Sequence, residues 1–196
     1  MVDAARQGGE RADEAVSRLH EEAAGAGLID VAYAEMDSPV GTILLAVTRR
    51  GLAAVEFDDG QLDRLLARFA RDLSPRVLRS PAATDDARRE LDEYFEGRRR
   101  TFDLRLDRRL MGRFAKEVLT ATARVPYGGV STYGEIATTI GHPGSARAVG
   151  AALGSNPIAI VVPCHRVIGA GGKLTGYAGG VHRKEFLLTL EGSLLG

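Results

Sequence analysis

The chain has no tryptophan and a single cysteine in 196 residues. With Cys164 alone, an intrachain disulfide framework is excluded, and so is a structural zinc site built from thiolates. A lone thiol fits a reducing, cytoplasmic setting. No apolar run approaches the ~20 residues that a membrane span needs. The polar start (Met1-Val2-Asp3, then Arg6, Glu10 and Arg11) lacks the apolar core of a signal peptide. Net charge is absent too, because 26 basic residues balance 26 acidic ones. Its distribution is uneven. Residues 111–196 carry eight Lys or Arg against four Glu, whereas residues 1–110 carry 18 basic against 22 acidic side chains. A basic C-terminal part fits a polyanion site confined to one half. There is no internal repeat and no low-complexity tract.

What is present reads as ordinary globular material, 44% hydrophobic and 27% charged. Residues 1–30, rich in Ala, Glu, Arg and Gly, read as a loosely attached extension with a helical stretch around Asp13 to Ala24. Val31–Met36, Thr42–Thr48 and Leu52–Phe57 read as three short strands separated by Gly-containing turns, an antiparallel meander. Leu62, Leu65, Leu66, Phe69 and Leu73 recur at helical spacing. Asp85–Phe95 gives a second helix, and the alternation of Phe102, Leu104 and Leu106 gives a strand that closes this half. The run Arg98-Arg99-Arg100 reads as a solvated turn.

Near Arg109 the texture changes. Phe114, Val118 and Val125 mark a helix ending at Pro126. Thr132 and Glu135 have capping-box spacing and open a short helix through Ile140. Gly141-His142-Pro143-Gly144 forms a turn, and Ser145–Ser155 forms the next helix, stopped by Asn156-Pro157. Two short helices across such a turn spell helix-turn-helix. The second helix is surfaced by Ala and Gly around one long cation, Arg147. Small residues serve helix packing equally well; the solitary Arg is what points to a nucleic-acid backbone. Ile158–Val162 reads as a buried strand running into Pro163-Cys164-His165-Arg166. A rigid proline fixes the backbone before the cysteine, and a neighbouring base or cation raises the thiolate fraction of such a thiol. A carboxylate to complete a Cys-His-acid relay must come from elsewhere, and Glu185 on the last helix is the candidate.

The motifs Pro126-Tyr127-Gly128, Thr132-Tyr133-Gly134-Glu135-Ile136-Ala137 and Ala146-Arg147-Ala148-Val149-Gly150 accompany Asn156-Pro157 and Pro163-Cys164-His165-Arg166-Val167-Ile168-Gly169. Leu174-Thr175-Gly176-Tyr177-Ala178-Gly179-Gly180 and Arg183-Lys184-Glu185-Phe186-Leu187-Leu188 follow. Together with Met36-Asp37-Ser38-Pro39-Val40-Gly41, this set resembles the O6-alkylguanine-DNA alkyltransferases in their constitutive bacterial form. The resemblance covers about Val31 to Gly192. It implies an α+β protein with an N-terminal ribonuclease H-like domain over 31–109 and a helical DNA-binding and alkyl-acceptor domain over 110–196.

The resemblance also implies residue roles. Cys164 would take the alkyl group from guanine O6, and less efficiently from thymine O4, once per chain. His165 would draw the thiol proton, Glu185 would orient the imidazole, and Tyr133 would protonate the departing base. Asn156 would be a hinge. Arg147 would fill the space of a flipped base, with Thr132, Tyr133, Ser145, Ala146 and Gly150 also at the DNA. Val167, Tyr177, Ala178, Gly179 and Gly180 would form the base pocket. The implied partner is double-stranded DNA, bound by a monomer with cooperation between copies left open. No cofactor and no metal are implied. Ala115 and Leu119 depart from the Gln and Trp of many bacterial relatives. Two rival readings stay open: a helix-turn-helix regulator that needs no nucleophile, and a cysteine hydrolase that turns over.

Overall fold

In the computed structural model, residues 27–193 are described. The expected extension, with its helix around Asp13 to Ala24, lies outside them apart from residues 27–30. Strands β1 (Val31–Met36), β2 (Ile43–Thr48) and β3 (Gly51–Phe57) form the antiparallel meander. Gly51 makes the second turn possible: its φ is +122°, and a Cβ there would sit 2.1 Å from the Arg105 carbonyl oxygen. No other residue type fits that position. Alternation along β2 serves two faces. Leu44 and Ala46 meet Val31, Ala54 and Phe69 of helix α1 (Leu62–Asp72). Ile43 and Leu45 point the other way, into the main core.

Two features of this half differ from expectation. A fourth strand, β4 (Val77–Arg79), pairs parallel with β1 and gives the order β3-β2-β1-β4. The segment Phe102–Leu106 is no strand. It keeps its alternation and packs against the core, but it bonds to the sheet only around Leu52, through Leu52 N–H to Arg105 O and Asp107 N–H to Leu52 O. The Asp103 N–H turns away to the Glu90 carboxylate on helix α2 (Asp85–Phe95), which breaks any ladder.

The second half contains helices α3 (Arg113–Thr122), α4 (Tyr133–Thr139), α5 (Ala146–Gly154) and α6 (Val181–Leu190). Helix α3 stops at Thr122, before the expected end at Pro126. The Thr132–Glu135 capping box is formed in both directions and opens α4. Helices α4 and α5 are the helix-turn-helix, with Gly141 and Gly144 at positive φ in its turn. Val149, Ala152 and Leu153 of α5 face inward. Short strands β5 (Ser131–Thr132) and β6 (Val167–Ile168) pair in parallel and tie α4 to the segment after the cysteine.

The two halves share one core, which runs from Ile43, Leu45, Leu91 and Tyr94 to Val118, Val149, Ile158 and Leu187. Val55 bonds across the seam at both its N–H (to Pro157 O, 2.8 Å) and its carbonyl (from Ala159 N–H, 3.0 Å). Arg183 of α6 reaches back to the Val40 carbonyl and the Asp59 carboxylate, its guanidinium 4.6 Å from the Phe57 ring centroid. Among the described residues, no helix is long and apolar enough to cross a membrane.

Candidate active site

The site begins where α5 ends. The expected strand Ile158–Val162 is instead a tight, buried turn carrying isolated bridges only. Its chain doubles back at Ile160, whose φ is +70°. A β-branched residue there costs on the order of 1–3 kcal/mol, so the surroundings must hold it in place. Asn156 does so. Its Oδ1 accepts from Ile158 N–H at 3.0 Å, and its Nδ2 donates to Val162 O at 2.9 Å. The same amide donates to Cys164 Sγ at 3.1 Å. One side chain therefore braces the turn and bonds the sulfur.

Pro163 then leads into a 3-10 turn, Cys164–Arg166. Cys164 is 5% exposed. Burial pushes its thiol up from the ordinary range, against the Asn156 amide, the nearby Tyr177 hydroxyl and the Lys184 charge, which all favour thiolate. Lys184 is wholly buried, its Nζ donating to Val167 O at 2.6 Å and Thr175 O at 3.1 Å. Burial pulls its ammonium down, while the cysteine opposite favours the charge.

His165 is also fully buried, and burial pushes its imidazole below the ordinary value. The carboxylate on it is Glu191, with Nε2 2.8 Å from Oε1. Glu185, the residue expected in that role, is exposed on the other side of α6. The reason is helical periodicity. Lys184, Leu187, Leu188 and Glu191 fall on one buried stripe at i, i+3, i+4 and i+7, and Glu185 lies off it. Arg166 grips Glu191 with Nε and Nη2 at 2.8 and 2.9 Å, and Tyr94 of α2 donates its hydroxyl at 2.7 Å. Burial alone would raise this carboxyl; the bonds from His165 and Arg166 overcome it and hold the group at about 2. An ionised Glu191 fixes the tautomer. Nε2 carries the proton, and Nδ1, buried without a protein partner, keeps a free lone pair.

Cys164 forms part of the wall of a cavity of about 450 Å³ with Tyr133, Gly150, Gly176, Tyr177 and Ala178. The Tyr133 hydroxyl lies 3.4 Å from Thr175 O. The other expected pocket residues stand apart from this wall. Val167 holds Lys184, Gly179 is pressed against Phe57, where a Cβ would come within 2.5 Å of the ring, and Gly180 caps α6 at φ +86°. Arg147 projects from the first turn of α5, exposed, with Ala148 and Ala151 exposed beside it. Thr132 caps α4, while Ser145 and Ala146 begin α5 half-buried. Glu191, Arg166, Lys184 and Tyr94 were not among the expected site residues. Among the described residues, no cluster of His, Cys, Asp and Glu could hold a metal ion.

Fold and site together define a helix-turn-helix protein with a buried cysteine next in sequence to a His-Glu pair. Family comparison gives the class. Residues 31–108 match the ribonuclease-like domain of 6-O-methylguanine DNA methyltransferase, and residues 113–193 match its DNA-binding domain. The chain is 47% identical over 161 residues to the methylated-DNA--protein-cysteine methyltransferase of Methanosarcina acetivorans, covering 82% of this chain and 98% of that one. The crystal structure of the Mycobacterium tuberculosis O6-methylguanine methyltransferase is similar at a TM-score of 0.72 and 44% identity, over 85% of this chain and 95% of that one. The crystal structure of Mycobacterium tuberculosis OGT in complex with DNA gives 0.72 and 44% over 83% of this chain and 93% of that one. The chain belongs to the 6-O-methylguanine DNA methyltransferase family.

Proposed function

We propose that this protein repairs double-stranded DNA by moving an alkyl group from guanine O6, and less efficiently thymine O4, onto its own Cys164. The observation that carries this reading is the position of Cys164. Its side chain helps form a cavity that also meets α4 and α5 of the helix-turn-helix, and it is backed by the His165–Glu191 pair. Family membership and a DNA-bound relative of 44% identity support the substrate.

The thiol rests neutral beside a neutral imidazole, so proton removal must accompany attack. The Cys164 proton passes to His165 Nδ1 through a water, the S–C bond forms in line as the C–O6 bond breaks, and guanine leaves as an anion. Tyr133 delivers its hydroxyl proton to N3 of that base. The buried Lys184 ammonium stabilises negative charge at the sulfur. Asn156 aims the sulfur, and Tyr177 and Ala178 wall the base. Arg147 fills the vacated stack, with Thr132, Ser145, Ala146 and Gly150 at the backbone. The thioether has no second thiol to reset it, so each chain acts once. In this reading 31–109 and 110–196 are the two domains, and the chain works as a cytoplasmic monomer.

The test is intact mass after incubation with O6-methylguanine duplex DNA. One added methyl group per chain is expected, located on Cys164 and absent in Cys164→Ser. Multiple turnovers would favour a hydrolase, and unmodified protein that still binds DNA would favour a regulator.

A further inference from the structure

Tyr94 belongs to α2, in the half that holds neither the thiol nor the helix-turn-helix, 97 residues before Glu191. Its hydroxyl meets Oε1 of Glu191 at 2.7 Å, the oxygen that also takes His165 Nε2–H at 2.8 Å and an Arg166 N–H at 2.9 Å. Three donors thus share one oxygen with two lone pairs. Packing does not require the hydroxyl. The Tyr94 ring sits against Phe95, Phe102 and Tyr127 with centroids 5.5, 5.5 and 6.2 Å away, contacts that a phenylalanine would keep.

We propose that Tyr94 is a positioning residue for alkyl transfer, its hydroxyl drawing on Glu191 so that His165 remains an unprotonated base. Its bearing on catalysis rests on the function proposed above; its action on the imidazole belongs to the resting protein. Each donor on Oε1 disperses carboxylate charge and weakens the pull of Glu191 on the imidazole N–H. His165 is faced by Lys184 from α6, by Glu191 just past its end, and by Arg166 from its own turn. Glu191 is faced in addition by Tyr94 from α2 and by Tyr127 and the Gly128 N–H from the loop after α3. Of these groups only Glu191 favours imidazolium, and the two cations oppose it. Tyr94 works with the cations. Burial and the neighbouring Glu191 push its own phenol well up, so it stays a donor throughout the working range.

The test follows Cys164 carboxamidomethylation by iodoacetamide against pH in the full chain, read by mass. In that reaction the S–C bond forms, iodide leaves, and the thiol proton goes to His165. The acid limb reports the imidazole. Tyr94→Phe should move it upward by roughly half to one pH unit, the scale of one hydrogen bond to a charged group. Tyr127→Phe should leave the limb in place, because that hydroxyl bonds the Leu190 carbonyl instead. Tyr94→3-fluorotyrosine keeps ring and hydroxyl but donates more strongly. It should move the limb downward, and it carries the test if the phenylalanine variant does not fold. A limb that stays put in both position-94 variants, or that moves equally in Tyr127→Phe, overturns the proposal. The reagent needs neither DNA nor an alkylated base, so failure of the repair reading would show separately, as wild-type protein that takes no methyl group from O6-methylguanine DNA.

Discussion

Glu191 accepts from His165, Arg166, Tyr94 and Gly128, and removing a carboxylate held this way leaves a buried guanidinium unpaired. Such a loss costs about 3–5 kcal/mol of stability. Glu191→Gln should therefore be assayed in the cold, where it still folds. There it should slow alkyl transfer at least ~10-fold, about 1.4 kcal/mol of barrier, with duplex affinity close to wild type. Glu185→Gln should change neither. If Glu185→Gln slowed transfer and Glu191→Gln did not, the relay would be assigned to the wrong carboxylate. The buried cysteine, its neighbouring histidine and the bracing asparagine were legible in the sequence because they lie in or beside contiguous motifs. The carboxylate that meets the histidine was not, because such a partner is chosen by three-dimensional facing. Glu185 sits inside a recognisable motif but on the solvent side of α6, whereas Glu191 lies just past the helix end and is marked only by its heptad step from Lys184. Tyr94 lies in the expected helix Asp85–Phe95, and nothing local says which buried carboxylate its phenol will meet.

At the scale of elements, periodicity and capping chemistry placed the meander, α1, α2 and the helix-turn-helix close to where they stand. The misses share a cause. Phe102–Leu106 alternates like a strand, yet its Asp103 N–H goes to Glu90 and its Arg105 carbonyl accepts from a single sheet residue, Leu52; Ile158–Val162 is apolar like a strand, yet Asn156 folds it into a turn. Burial pattern reports which side chains face inward and is silent about where backbone hydrogen bonds go. The exposed face of α5 raises a different question, since Arg147 stands alone among Ala and Gly. Flipping a base costs a few kcal/mol of stacking and pairing, and a side chain that fills the gap offsets part of it. Arg147→Ala should thus react with alkylated duplex DNA at least ~10-fold more slowly. Free O6-benzylguanine needs no flipping, so its rate should stay near wild type. Equal slowing on both substrates would make Arg147 a support of the pocket instead.

For the whole molecule, the His165–Glu191–Arg166 cluster is also a clasp, because Tyr94 brings α2 to it while the shared core and the Val55 bonds close the rest of the seam. Two halves joined in this way should unfold together. Acid should open the clasp, and the signs can be worked out group by group. His165 is held below its ordinary value, so from about 6.5 downward the unfolded chain binds a proton that the folded chain resists, and stability falls. Glu191 is depressed to about 2 from 4.5, so its contribution is complete above 4.5 and is lost as pH falls toward 2. Both losses have the same direction. Other depressed carboxylates, such as Asp59 and Asp107, add to the acid slope of the wild type, so the variant difference is the informative quantity. Calorimetric melts between pH 7.5 and 3 should show one transition whose Tm falls steadily with acid. Glu191→Gln should start lower at neutral pH and lose less Tm than wild type below 4.5, the two curves converging as the wild-type carboxylate is protonated. Two separate transitions would mean that the seam does not couple the halves, and parallel wild-type and Glu191→Gln curves would mean that Glu191 is not the group through which acid acts on the clasp.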